Sequence, residues 1–214
     1  IHENVSLIPA GEFLMGTEEG TKIERPVHKV YLDKFRISRF EVSNIEFEIF
    51  QPNHTRSVSS PCDQCPVTMV NWFEASSYCK DKNGRLPSEA EWEKAARGPA
   101  EYRYSFGENP DQSKSNFGHE FQVGVKAVNS FQPNGFGLYN MSGNVWEWVD
   151  DWFSFYAKDK KKTRKEGMVF TEKILRGGSW YNTAYYINVG MRFKINPDIK
   201  LNSIGFRCAW DVQQ

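Results

Sequence analysis

The sequence predicts an α+β fold with little regular structure: two clear helices, short scattered strands and extensive irregular loops. Three observations carry that expectation. Capping-box patterns open two helical stretches, strand signals are brief and far apart, and turn sequences dominate 99–178. A capping box sets an N-cap side chain against a Glu three positions on. The pair satisfies two backbone N–H groups that a helix start otherwise leaves over.

In chain order, Phe13–Met15 marks one strand, and Val30 to Leu32, extending to Phe35–Ile37, marks another. Ser43 with Glu46 predicts a short helix through Phe50. Asn71 with Glu74 predicts a helix to Lys82, stopped at Gly84 as a left-handed C-terminal residue. Ser88 with Glu91 repeats the pattern, and Gly98 ends that helix. Gly107–Pro110, Pro133–Gly135 and Ser142–Asn144 are turn sequences. So long an irregular stretch is uncommon and tends to be functional or metal-held. Ile187, Val189, Met191, Phe193 and Ile195 alternate with polar or small residues, as a half-buried strand does. Ile204 to Trp210 reads as the closing strand.

The 214 residues suit one domain spanning 1–214, and 15% aromatic content with seven Trp can fill a core. A mean hydropathy of -0.62 leaves much of the chain as polar surface. Lys plus Arg and Asp plus Glu both number 27, so no global field draws nucleic acid or an anionic membrane. No apolar run reaches the roughly 18 residues of a membrane span. A start at Ile1 rather than Met points to a mature product or a domain cut from something longer, and the structured run to Leu7 favours the second. Lys158 to Glu166 is basic and reads as a solvated loop. Cys62 and Cys65 have the spacing of half a zinc site, but a full site needs two more ligands. Cys79 and Cys208 stand alone, and His2, His28, His54 and His119 are scattered.

Several motifs occur in a fixed order. Ile8–Gly16 precedes Glu24–His28; Pro66–Trp72 and Arg85–Trp92 follow; then come Asn134–Trp148, Arg176–Trp180 and Ile204–Arg207. Together they resemble the formylglycine-generating-enzyme (sulfatase-modifying-factor) family along nearly the whole chain. The resemblance implies a C-type-lectin-like fold.

Active members of that family oxidise a substrate cysteine with a pair of copper-holding cysteines after the Arg-Gly-Gly-Ser motif. Asn182 and Ile187 stand at those positions here. Neither can supply the soft thiolates that suit Cu(I), so the resemblance implies a member that is not an enzyme and holds no copper. A related iron-dependent branch needs clustered His ligands that this chain lacks.

The family's calcium segment corresponds to Asn140–Glu147. Its ligands would be the side chains of Asn140 and Glu147 with the carbonyls of Gly143 and Val145; the alternative is that Asn140 and Glu147 only hydrogen-bond the turn. A second family calcium site is not expected, because the stretch after Asn116 and Phe117 is shortened. Trp146 and Trp148 form either a sugar platform or, as the burial of large aromatics favours, core. The family pairs Cys79 with Cys208 as a disulfide; Cys62 and Cys65 lie in a loop that departs from the family pattern, where a small bridge of their own is the expectation.

Tyr181, Asn182, Tyr185, Tyr186, Asn188, Phe193, Lys194, Ile199 and Asn202 lie between two fixed-looking motifs. Tyr and Asn suit binding surfaces, and relatives use this region as a substrate cleft or a variable ligand face. The bland alternative is an ordinary strand and loop with exposed Tyr. The reading that results is a non-catalytic domain recognising a protein or peptide, one module of a larger bacterial protein such as a serine/threonine kinase. The competing readings are an oxidoreductase acting on protein cysteine and a carbohydrate-binding lectin.

Overall fold

The computed structural model describes residues 4–156 and 171–212. The basic run from Lys158 to Glu166 lies outside the described residues. Along the chain come β1 (Val5–Ile8), β2 (Gly11–Met15), β3 (His28–Leu32), β4 (Phe35–Ser38), α1 (Asn44–Phe50), α2 (Trp72–Asp81) and α3 (Glu89–Arg97). After a long irregular stretch follow β5 (Trp146–Trp152), β6 (Lys173–Arg176), β7 (Phe193–Ile195), β8 (Ile204–Phe206) and β9 (Ala209–Asp211). Among the described residues three small sheets result, ordered β1-β4-β9, β2-β3 and β7-β6-β5-β8. Every pairing is antiparallel except β5 with β8.

The helices start where side chains take over the orphan backbone donors. Asn71 Oδ1 accepts from Glu74 N at 2.9 Å while Glu74 Oε2 accepts from Asn71 N at 3.0 Å. Ser88 and Glu91 repeat the exchange at 3.2 and 2.7 Å, and Glu46 reaches back to Ser43 at α1. Gly98 adopts φ 67° and closes α3. At the end of α2 the left-handed residue is Asn83 (φ 56°), not Gly84. Gly84 is needed for a different reason: a Cβ there would lie 2.6 Å from Trp210 Nε1 and 2.7 Å from the Ala209 carbonyl.

The strands depart further from expectation. Val30 and Phe35 belong to separate strands, β3 and β4, in different sheets. The closing strand is split into β8 and β9, also in different sheets, with buried Arg207 and Cys208 between them. Only the last three residues of the 187–195 alternation are strand. Its polar members Asn188 and Arg192 are themselves buried, Arg192 paired with Glu89 at 2.6 Å, so alternation in polarity was not alternation in exposure. The 99–178 stretch also contains β5 and β6; β6 and the first four residues of β5, Trp146 to Val149, are buried on both faces and show no period of two.

Two packed cores flank the largest sheet. One gathers Phe47, Tyr78, Trp146, Trp148 and Phe206; the other gathers Ile8, Phe35, Trp92, Leu138 and Ile174. Trp146 and Trp148 are both core, at 5% and 0% exposure. Disulfides join Cys79 to Cys208 and Cys62 to Cys65.

Candidate functional site

The region after β6 is shaped by two consecutive glycines. Gly177 (φ 95°) and Gly178 (φ 73°) both take left-handed backbone, and a Cβ on Gly178 would stand 2.7 Å from Ile187. The chain then turns sharply. Asn182 Oδ1 accepts from Ser179 N at 2.9 Å and from Ser179 Oγ at 2.7 Å. Inside the turn Trp180 is fully buried against Cys65, Val125 and Val145.

That anchoring holds Tyr181 half-buried beside it. Its ring lies 5.3 Å from Trp180 and 5.6 Å from Phe121, and its hydroxyl is 3.4 Å from Ser203 Oγ. The Ser203 carbonyl accepts from Trp146 N at 2.8 Å. Phe193, 43% exposed, packs on Trp146 at 5.6 Å. Asn202, next to Ser203, donates to Ser59 Oγ at 3.0 Å. Tyr181 thus touches Ser203, whose chain neighbour is Asn202, and Phe193 packs on Trp146, whose backbone N–H bonds the Ser203 carbonyl. Ile199 is exposed on the turn that leads from β7 toward this point.

Other members of the sequence-derived set do not join them. Tyr185 and Tyr186 form a separate edge-to-face pair at 5.2 Å. Asn188 is buried and spends its amide on the Tyr185 carbonyl and its oxygen on Gly190 N, so it holds a turn. Lys194 follows Phe193 in β7 and therefore points to the opposite sheet face, where it pairs with Glu172 above the Phe153 ring. Asn182 is occupied by Ser179. Phe121, 58% exposed, is a contributor that sequence reasoning missed. Its loop docks only through tertiary bonds, Gly118 N to Asn182 O at 2.8 Å and His119 N to Trp180 O at 2.9 Å; no local pattern announces them.

Asn182 and Ile187, which the resemblance sets at the family's paired cysteines, offer no soft donor. The Asn182 oxygen is engaged, and Ile187 is fully buried against Tyr104 and Phe117. They do not fit copper.

The Asn140–Glu147 turn is a closed polar network. Glu147 is fully buried and bridged by Arg207 through Nε at 2.7 Å and Nη2 at 2.6 Å, with Trp92 Nε1 donating at 2.8 Å. Asn140 Nδ2 donates to Glu41 Oε2 at 2.9 Å, and Asn144 Nδ2 to Glu41 Oε1 at 2.8 Å. Burial pushes the Glu41 carboxyl up to about 7, against the pull of Arg207. Because a guanidinium already neutralises Glu147, that carboxylate is not free for a calcium ion in this arrangement. Glu41 was not legible as part of this network, since nothing near it in the chain shows that it is buried.

A twisted α+β scaffold with sparse strands, one central buried helix and long fixed loops defines a C-type-lectin-like protein. Treponema denticola variable protein 1 has this fold: a TM-score of 0.82 at 24% identity, covering 96% of this chain and 94% of that one. The sulfatase-modifying factor enzyme 1-like domain matches residues 2–212, and the chain belongs to that family. It is 34% identical over 96% of its length to the serine/threonine-protein kinase pkn1 of Chlamydia pneumoniae, and spans 38% of that kinase's length. It is 30% identical to the formylglycine-generating enzyme of Streptomyces coelicolor, covering 96% of this chain and 88% of the enzyme.

Proposed function

We propose that this chain is a non-catalytic recognition domain that binds a protein or peptide through the aromatic face around Tyr181 and Phe193. The observation that carries the reading is the seating of exposed Phe121 and Phe193, and of half-buried Tyr181, on buried rings. Phe121 and Tyr181 rest on Trp180, and Phe193 rests on Trp146. Exposed rings held by a fixed frame lose little conformational freedom on binding, and aromatic anchors of this kind dominate interface energies. Tyr185 and Tyr186 form a second exposed aromatic pair, separate from this face.

The same geometry weighs against oxidation of a substrate cysteine by this chain. Asn182 and Ile187 stand where the resemblance puts the thiolates, and all four cysteines are tied in disulfides. The similarity to kinases that are much longer than this chain supports its being one module of such a protein.

A quantitative pull-down tests the proposal. The wild-type chain is compared with a variant carrying Tyr181→Ala and Phe193→Ala, and with a second carrying Tyr185→Ala and Tyr186→Ala. The expected result is a partner retained by wild type and the second variant and lost by the first, with both variants still melting normally. Equal retention by wild type and the first variant, or by neither, removes the aromatic face from consideration.

A further inference from the structure

We propose that the Cys62–Cys65 bridge is a thiol–disulfide exchange site, opened by an external thiol at Cys62 and closed again by Cys65. This inference is independent of ligand binding at the aromatic face.

The two sulfurs differ in access. Cys62 is exposed, whereas Cys65 is 4% exposed and packs against Val125, Val145 and Trp180. Disulfide exchange requires a thiolate to reach one sulfur along the S–S axis, and only Cys62 offers that approach. Which bond forms and which group leaves are set by burial.

The turn does not depend on its bridge. Asn44 Nδ2 donates to the carbonyls of Ser60 at 2.8 Å and Cys62 at 2.9 Å, and Asn44 N donates to the Cys65 carbonyl at 2.9 Å. Arg56 Nη1 holds the Pro61 carbonyl at 2.9 Å. Ile45 N holds that of Asp63 at 3.1 Å, and Val128 N that of Gln64 at 2.8 Å. Every carbonyl from 60 to 65 therefore has a partner outside the bridge. The two Cα atoms, 5.0 Å apart, keep their spacing when the S–S bond opens, and Cys65 stays placed to re-form it.

A bridge between residues three apart also removes little entropy from the unfolded chain, unlike Cys79–Cys208, which spans 129 positions. Access to one sulfur, a preorganised frame and a contribution to stability well below that of Cys79–Cys208 are the marks of a labile disulfide rather than a structural one.

The exchange balances as follows. An external thiolate attacks Cys62 Sγ, forming a mixed disulfide as the bond to Cys65 breaks, and Cys65 leaves as a thiolate that takes up a proton. A second external thiolate attacks the outer sulfur of the mixed disulfide and releases Cys62, which is protonated in turn. Two external thiols become one disulfide, and the protein pair gains two electrons and two protons. A dithiol, which supplies both thiolates from one molecule, is the reductant class this favours; a disulfide of the same class runs the reaction backwards.

The test treats the folded 214-residue chain with graded dithiothreitol, without denaturant, and follows it by iodoacetamide trapping and peptide mass mapping. Cys62 and Cys65 are expected to be labelled at concentrations that leave Cys79–Cys208 intact, with the circular dichroism unchanged. Opening of both bridges together, or of Cys79–Cys208 first, overturns the proposal. A second arm uses oxidised glutathione on single variants. Cys65→Ser should take the adduct at Cys62 at least about tenfold faster than Cys62→Ser takes it at Cys65, because a buried thiol is unreactive. Equal rates, or the reverse order, overturn the assignment of the attacked sulfur.

Discussion

Arg207 shows how much a single side chain decides here. It is fully buried, chelates Glu147 and donates to the carbonyls of Ser38, Arg39 and Tyr139, so it ties β4, β5 and the loop before the Asn140 turn to one point. Replacing Arg207 with Met should lower unfolding free energy by about 3–5 kcal/mol in urea titrations, since Glu147 would stay buried without its partner. Asp151 acts through pH. Burial pushes its carboxyl up to about 6 although it accepts from Glu89 N at 2.6 Å. The folded state thus holds this proton more tightly than the unfolded chain, whose carboxyl titrates at the ordinary value. The stability contributed by the protonated form is complete below pH 3.8 and lost as pH rises through about 6. The difference in urea midpoint between wild type and Asp151→Asn should shift across that window. A difference that stays constant from pH 4 to 7 would refute the assignment.

At the scale of elements, α3 matters most. Glu89, Glu91, Trp92, Glu93 and Lys94 are all buried, which few helices could tolerate. Each charge has a partner: Glu89 faces Arg192, Glu91 faces Arg85, Glu93 faces Arg97 and Arg176, and Lys94 donates to the carbonyls of Pro9 and Gly11. The helix start itself is an ordinary capping box. Ser88→Ala should cost about 1 kcal/mol by thermal or urea unfolding, the usual loss for an N-cap hydroxyl. A much larger loss would mean that Ser88 also supports the charge network.

Across the whole molecule the two disulfides play unequal parts. On a chain-entropy basis Cys79–Cys208 stabilises by about 5 kcal/mol and Cys62–Cys65 by about 2 kcal/mol. Removing the first with paired Ala substitutions should therefore depress the melting temperature markedly more than removing the second; the reverse order would contradict the loop-length argument. Calcium bears on the same scale. With Glu147 committed to Arg207, chelation by EDTA should leave the melting temperature unchanged. A calcium-dependent rise would show that the carboxylate turns from Arg207 to the ion.

Helix starts were legible in the chain because a cap is a contract between residues three apart. Asn71 with Glu74 and Ser88 with Glu91 are visible in any window of four. The ordered motifs, read as a resemblance, likewise placed the fold and Cys79 beside Cys208. What tertiary structure alone decided was the fate of polar residues and the limits of strands. Nothing local shows that Glu147 and Arg207 meet 60 positions apart, that Asn188 turns inward, or that Phe121 arrives beside Tyr181. The face that Phe193 and Lys194 divide between them depends on where β7 joins its sheet. Local rules describe what a chain does with its near neighbours. Burial of a charge, or exposure of a ring, depends on partners that only the folded chain brings within reach.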